Sequence, residues 1–247
     1  MRLHRFILGA LAIGLMSSSA TVWADQSQNG LTDQTIRAEI EQRLADRNIS
    51  GVTITVTQGV VVVDGTVVSA WAKNQACEEP RKIFGVTSVT CNITVPRRPR
   101  DSVIAVEVES WILDYAFYTI YDSVDVVVKD GRVTLTGEVM ADARARTIAD
   151  IASRVTGVAE VNNLLRTIVA SPKDDDIRYE VAGRVYSNPL FSYNRMPGPV
   201  HIIVENGRVT LTGWVPSEGD RQLAEMIASA VPGVVRVENR LKCFIDD

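Results

Sequence analysis

Histidine is nearly missing from this 247-residue chain, with only His4 and His201 present. A catalytic triad or a histidine-based metal cluster needs partners that His201 alone does not supply. An excess of positive charge is missing too. Lys and Arg number 26 against 30 Asp and Glu, a formal net charge of −4, so the chain offers no electrostatic footprint for nucleic acid. No phosphate loop occurs, because neither copy of GRVTLTG is followed by Gly-Lys-Ser/Thr. No small-molecule substrate or cofactor is evident, and the chain reads as non-catalytic. Nor is there an apolar run long enough to cross a bilayer. The longest such stretch, Phe6 to Met16, has 11 residues, against the ~18–20 a spanning helix needs.

That short run has the form of a signal peptide. Arg2 and Arg5 precede it, Ser17, Ser18 and Ser19 end it, and Val22-Trp23-Ala24 fits cleavage before Asp25. Export to the periplasm is expected, with residues 1–24 removed and no lipid-bearing cysteine at the cut. Without Arg2 and Arg5 the net charge falls to near −6.

What is present is repetition. GRVTLTG occurs at Gly131–Gly137 and again at Gly207–Gly213, with a looser copy, GVVVVDG, at Gly59–Gly65. In each copy a Gly-Val pair follows: Gly85-Val86, Gly157-Val158 and Gly233-Val234. The copies are offset by 72 and 76 residues, the four extra residues being assigned to Asn188–Pro199. Pro96–Arg100 and Ser171–Asp175 read as short stiff linkers.

Each copy opens with a helix. Ile36, Ile40 and Leu44, then Ile104, Val108 and Ile112, then Ile177, Val181 and Val185 recur at steps of four. Thr32 or Asp33 can cap the first helix. The run Asp174-Asp175-Asp176 likewise reads as favourable charge at a helix start rather than a metal site. Alternating strands follow, from Val52, Val124 and Val200, joined by glycine turns to a second strand. The turn and strand-end glycines are Gly59, Gly65, Gly131, Gly137, Gly207 and Gly213. A second helix and a third strand complete an α-β-β-α-β module. The expected fold is α+β: three tandem modules, each a three-stranded mixed sheet covered on one face by two helices, spanning 31–95, 101–169 and 175–243. Pro80 falls inside the second helix of copy one and should kink it.

The pattern of helix, glycine-turned hairpin, V-x-L-x-G, helix and GV-x-x-V-x-N-x-L resembles the BON domain of bacterial envelope proteins. Asn163 and Asn239 hold the asparagine of the last motif, whereas Cys91 replaces it in copy one. The resemblance covers about Thr32–Val95, Asp101–Ile168 and Asp175–Cys243. It implies an envelope protein linked to osmotic stress and envelope integrity that binds phospholipid surfaces or other envelope components. A protein-interaction scaffold that never touches lipid is the second reading.

Candidate contact residues follow from the aromatics. Trp111, Tyr115, Phe117, Tyr118 and Tyr121 crowd the end of the first helix in copy two, and Leu190, Phe191 and Tyr193 lie in the matching region of copy three. They suit a membrane interface or the gap between modules. Arg97, Arg98 and Arg100 could meet anionic headgroups. Cys77 and Cys91 could pair, the alternatives being two reduced thiols or a pair including Cys243. His201 falls in phase with the outer face of its strand and is expected at the solvent surface. Val60 and Val62 give copy one an apolar outer sheet face, where another module is expected to pack.

Overall fold

The computed structural model describes residues 32–96, 99–169, 171–191 and 199–244. The signal-peptide segment and both Arg97 and Arg98 lie outside them. Module one runs α1 (Asp33–Asp46), β1 (Val52–Thr57), β2 (Val60–Thr66), α2 (Ala70–Glu78) and β3 (Ser88–Thr94). Module two runs α3 (Asp101–Leu113), β4 (Ser123–Lys129), β5 (Arg132–Val139), α4 (Asp142–Arg154), β6 (Glu160–Asn163) and β7 (Arg166–Thr167). Module three runs α5 (Pro172–Ser187), β8 (Val200–Glu205), β9 (Arg208–Val215), α6 (Glu218–Ser229), β10 (Arg236–Asn239) and β11 (Lys242–Cys243).

One topology serves all three. The hairpin strands are antiparallel, and the second hairpin strand is central, pairing in parallel with the last strand. The parallel register is the same in each: Val61 faces Val89, Val133 faces Val161, and Val209 faces Val237. Alternation puts Val61 and Val63, Val133 and Leu135, and Val209 and Leu211 under the helices, all fully buried. The helix stripes Ile36, Ile40 and Leu44, Ile104, Val108 and Ile112, and Ile177, Val181 and Val185 close the three cores from above.

The hairpin turns put a non-glycine residue and then a glycine at positive φ. The pairs are Gln58 and Gly59, Asp130 and Gly131, and Asn206 and Gly207. At Gly131 a Cβ would sit 2.9 Å from the Gly157 carbonyl oxygen, which ties this glycine to the turn after the second helix. Each turn is also held by a carboxylate at the start of the first helix. Asp33 accepts the Gln58 and Gly59 N–H groups at 2.7 and 2.9 Å. Asp101 accepts those of Asp130 and Gly131 at the same distances, and Asp174 accepts those of Asn206 and Gly207 at 2.8 Å each. Asp33 and Asp174 are thus turn clamps rather than helix caps. Thr32 caps α1, its hydroxyl accepting the Thr35 N–H, and Asp175 pairs with Arg178.

Several other expectations are corrected. Pro80 does not kink α2 but ends it. The helix stops at Glu78 and a 3₁₀ turn, Pro80–Lys82, follows, so α2 has 9 residues where α4 has 13. The segments between first helix and first strand hold five, nine and twelve residues (47–51, 114–122, 188–199). Copy two therefore carries an insertion of its own, and only three of the four extra residues in copy three belong to Asn188–Pro199. The last strand breaks in modules two and three. Asn163 and Asn239 each accept a main-chain N–H two residues on, from Leu165 and Leu241, at 3.2 Å. β3 has Cys91 there and is unbroken.

Candidate interaction surface

The inserted segment 114–122 joins modules two and three. Tyr118, at 8% exposure, packs in the module-two core, and burial pushes its phenol well above the ordinary tyrosine range. Asp122 is fully buried. Its carboxylate accepts from Arg144 at 2.7 Å, the Met140 N–H at 3.0 Å and the Thr119 hydroxyl at 2.9 Å. Those bonds fix the loop so that its main chain faces module three. The Ile120 carbonyl accepts the Ile202 N–H at 2.7 Å. The Asp122 carbonyl lies within hydrogen-bond distance of His201 Nδ1, which must carry the proton, because a carbonyl only accepts.

His201 is therefore not a solvated surface histidine. It is buried at 8% exposure, with its ring 5.4 Å from that of Tyr118. The phase of β8 does point it away from the module-three core, but module two covers that face. Burial holds the imidazole below its ordinary pKa, against the opposing pull of the Asp122 and Thr119 backbone. Around it, Ser123 and Thr212 share a hydroxyl hydrogen bond at 2.8 Å. Arg166 donates to Glu205 at 2.7 Å, and Lys242 lies 3.6 Å from Asp125. Tyr121 meets Tyr179 edge to face at 5.8 Å and lies 6.0 Å from the Arg178 guanidinium. Phe191 is fully buried in the module-three core. Tyr118, Tyr121 and Phe191 thus fill interiors and the junction; Tyr193 lies outside the described residues.

Modules one and two meet differently. The Ala70 N–H donates to the Val158 carbonyl at 2.6 Å, and the Gly157 N–H donates to the Val68 carbonyl at 2.8 Å. Arg154 stacks 4.4 Å above the Trp71 ring. Contact runs through the start of α2, not through the sheet face carrying Val60 and Val62. Val60 stays 41% exposed, so the expected packing of a module there is not what the chain does. A shallow cleft of about 490 Å³ lies beside the seam. Among its lining carboxylates Asp150 pairs with Arg154 and Glu160 with Arg132.

With Tyr118 and Tyr121 withdrawn and Tyr115 half-buried, the exposed part of the cluster is Trp111 and Phe117. Helical periodicity adds what the aromatics alone did not reveal. Val103, Val106 and Leu113 lie on the solvent side of α3, at 43%, 67% and 48% exposure. The matching residues of α1, Thr35, Ala38 and Ala45, are small, and Arg43 and Arg184 stand where α3 has Trp111. Both arginines pair with a glutamate one turn earlier, Glu39 and Glu180. On α5 the places of Val106 and Leu113 hold Tyr179, 64% exposed, and half-buried Tyr186, so what sets module two apart is a first helix whose solvent side carries valines, a leucine and a tryptophan. Arg100 is exposed at the N-cap of that helix.

Cys77 and Cys91 form a disulfide with Cα atoms 5.9 Å apart. Cys243 is buried in module three, its Sγ 3.9 Å from Glu218. Among the described residues no group of histidine, cysteine and carboxylate side chains could hold a metal ion, and no helix is long and apolar enough to cross a membrane.

Helices over one face of a mixed three-stranded sheet, repeated three times, define a tandem α/β module. The BON domain family model matches residues 32–97, 101–168 and 173–243, and the chain belongs to that family. It is 31% identical over 150 residues to osmotically-inducible protein Y of Escherichia coli strain K12, a match covering 58% of this chain and 72% of that protein. Two solved structures of CdsD, a structural protein of the type III secretion system of Chlamydia trachomatis, align at 16% identity. The first, its C-terminal domain, covers 83% of this chain and 96% of its own with a TM-score of 0.25. The second covers 82% and 91% with a TM-score of 0.24.

Proposed function

We propose that this is an exported, non-catalytic protein of the bacterial envelope that associates with phospholipid surfaces through the α3 ridge of module two and supports the envelope under osmotic stress. The carrying observation is the exposure of Val106, Trp111, Leu113 and Phe117 on one module of three. Fully burying a side chain of this size contributes ~1.5–3 kcal/mol, and tryptophan suits the headgroup boundary. Arg100 at the end of the same helix, with Arg97 and Arg98 beside it in sequence, would meet anionic headgroups at ~1 kcal/mol each. The BON family and the osmotically inducible relative support the envelope and stress setting.

Co-sedimentation of the chain from Asp25 with anionic and zwitterionic vesicles, at low and high salt, tests this reading. Binding to anionic vesicles that weakens with salt is expected, and Trp111→Ala with Phe117→Ala should abolish it. The scaffold reading is favoured by the acidic flank of the ridge, Glu107, Glu109 and Asp114. It predicts no vesicle binding under any condition.

A further inference from the structure

The three modules each present the outer edge of their first strand, and the chain treats each edge differently. In module one the Gly51 carbonyl accepts the Thr66 N–H at 2.9 Å. The antiparallel ladder then turns the main chain of Thr53, Thr55 and Thr57 toward β2 and that of Val52, Ile54 and Val56 away from the sheet. The residue of β8 equivalent to Ile54 is Ile202, whose outward N–H is taken by the Ile120 carbonyl. On β4, Asp125 and Lys129 put charge on the edge strand, a common guard against unwanted pairing. β1 has neither device. It reads VTITVT, with no charge, proline or bulge. Among the described residues no backbone group bonds to the outward N–H groups of Val52, Ile54 and Val56.

We propose that β1 is the pairing edge of a homodimer, lying antiparallel to β1 of a second copy and joining two three-stranded sheets into one of six strands. The strand is self-complementary. With Ile54 opposite its own two-fold mate, Val52 faces Val56 and Thr53 faces Thr55. The buried face meets the buried face, and the uncharged threonine face meets its equal. Six consecutive β-branched residues favour the extended form. No like charges meet across the two-fold. The exposed Val60 on the neighbouring strand extends the uncharged surface. Such an interface is isologous and closes at two chains. A six-residue strand pair buries well under the ~1,600 Å² of a standard stable interface, so the dimer forms at high local concentration. Nothing in it depends on vesicle binding.

Sedimentation velocity without lipid, over a concentration series reaching about 1 mM, reads the proposal directly. A monomer–dimer equilibrium is expected. Concentration-dependent hydrogen-exchange protection should appear at the Val52, Ile54 and Val56 amides. Thr53→Lys with Thr55→Lys places lysine against lysine and should weaken dimerisation at least about tenfold, with an unchanged far-ultraviolet dichroism spectrum. Thr53→Glu with Thr55→Glu should do the same, and mixing the lysine and glutamate chains should restore a heterodimer. Thr90→Lys, on the same face but the far edge of the sheet, should leave the dimer intact. A chain still monomeric at about 1 mM, a dimer indifferent to the lysine pair, or folded lysine and glutamate chains that fail to pair would each overturn it. Capture of a foreign extended segment by a strictly monomeric chain would also overturn it, moving the edge to a different partner.

Discussion

Modules one and three share topology and parallel register but fasten their last strand to their second helix by different chemistry. In module three the Asn239 amide donates to the Arg221 carbonyl at 2.8 Å and its oxygen accepts the Leu241 N–H. Module two does the same with Asn163 and the Ala145 carbonyl, at 3.1 Å. Module one places Cys91 there and reaches α2 through the disulfide to Cys77. The side-chain latch interrupts the strand it sits on, because the asparagine bonds its own main chain two residues along. The disulfide leaves β3 continuous over 7 residues. Pro80 has already shortened the helix on the other side, so module one combines the shortest second helix with the covalent latch.

Breaking the latches should have the largest effect on module one. Removing the disulfide with Cys77→Ala and Cys91→Ala, closing a sequence separation of 14, should cost ~3 kcal/mol in the loop-entropy relation. Hydrogen exchange should show that loss in β1–β3 and none in module three. Asn239→Ala should cost ~1 kcal/mol, confined to module three. Cys77→Ala with Cys91→Asn tests whether the latches are interchangeable: recovery of part of the lost stability is expected, and none would mean the asparagine latch needs the longer helix.

The turn clamps give the next largest difference. Asp174 is 4% exposed, whereas Asp33 is half-buried. Asp174→Ala removes two charge-assisted hydrogen bonds and should cost ~2 kcal/mol. Asp33→Ala should cost clearly less, because water replaces its bonds more readily. Denaturant midpoints for the two variants decide it.

Acid separates the regions by window. His201 has a folded pKa below its ordinary 6.5, so its neutral burial contributes stability above that value, and the contribution is lost as pH falls through the folded pKa. The junction of modules two and three should therefore loosen first. The single histidine signal of the chain from Asp25 should titrate below 6.5 in nuclear magnetic resonance, and His201→Gln should remove that step. Glu79 acts lower. Its side chain is 2% exposed and bonds Lys82 at 2.7 Å, with Arg47 at 3.1 Å. The Lys82 hydrogen bond, chiefly, holds its carboxyl below the ordinary 4.5. Its stabilisation of module one is present above 4.5 and lost only as pH falls through that lower value. Glu79→Gln should flatten the acid limb of module one alone, the smallest effect of the series.

The modules were legible because glycine turns and period-two valine runs mark backbone constraints that sequence must carry. Three features were not. The clamps escaped because loops of five, nine and twelve residues move Asp33, Asp101 and Asp174 out of the common repeat offset. His201 was placed on the correct face of β8, but phase says nothing of what covers that face. The aromatic cluster was found as a unit, yet its members divide between interior and surface. Segment 114–122 turns Tyr118 and Tyr121 inward, while Trp111 on α3 and Phe117 within that same segment stay outside.

If the α3 ridge of module two meets the membrane as proposed, Trp111 comes to lie at the lipid boundary. Expressing the chain from Asp25 with Trp71→Phe and Trp214→Phe leaves Trp111 as its single tryptophan. The measurement is quenching of that fluorophore by vesicles of brominated phospholipid. Strong quenching, lost when Arg97, Arg98 and Arg100 are neutralised or salt is raised, is the predicted result. Bound protein whose Trp111 emission is untouched by the bromines would contradict it.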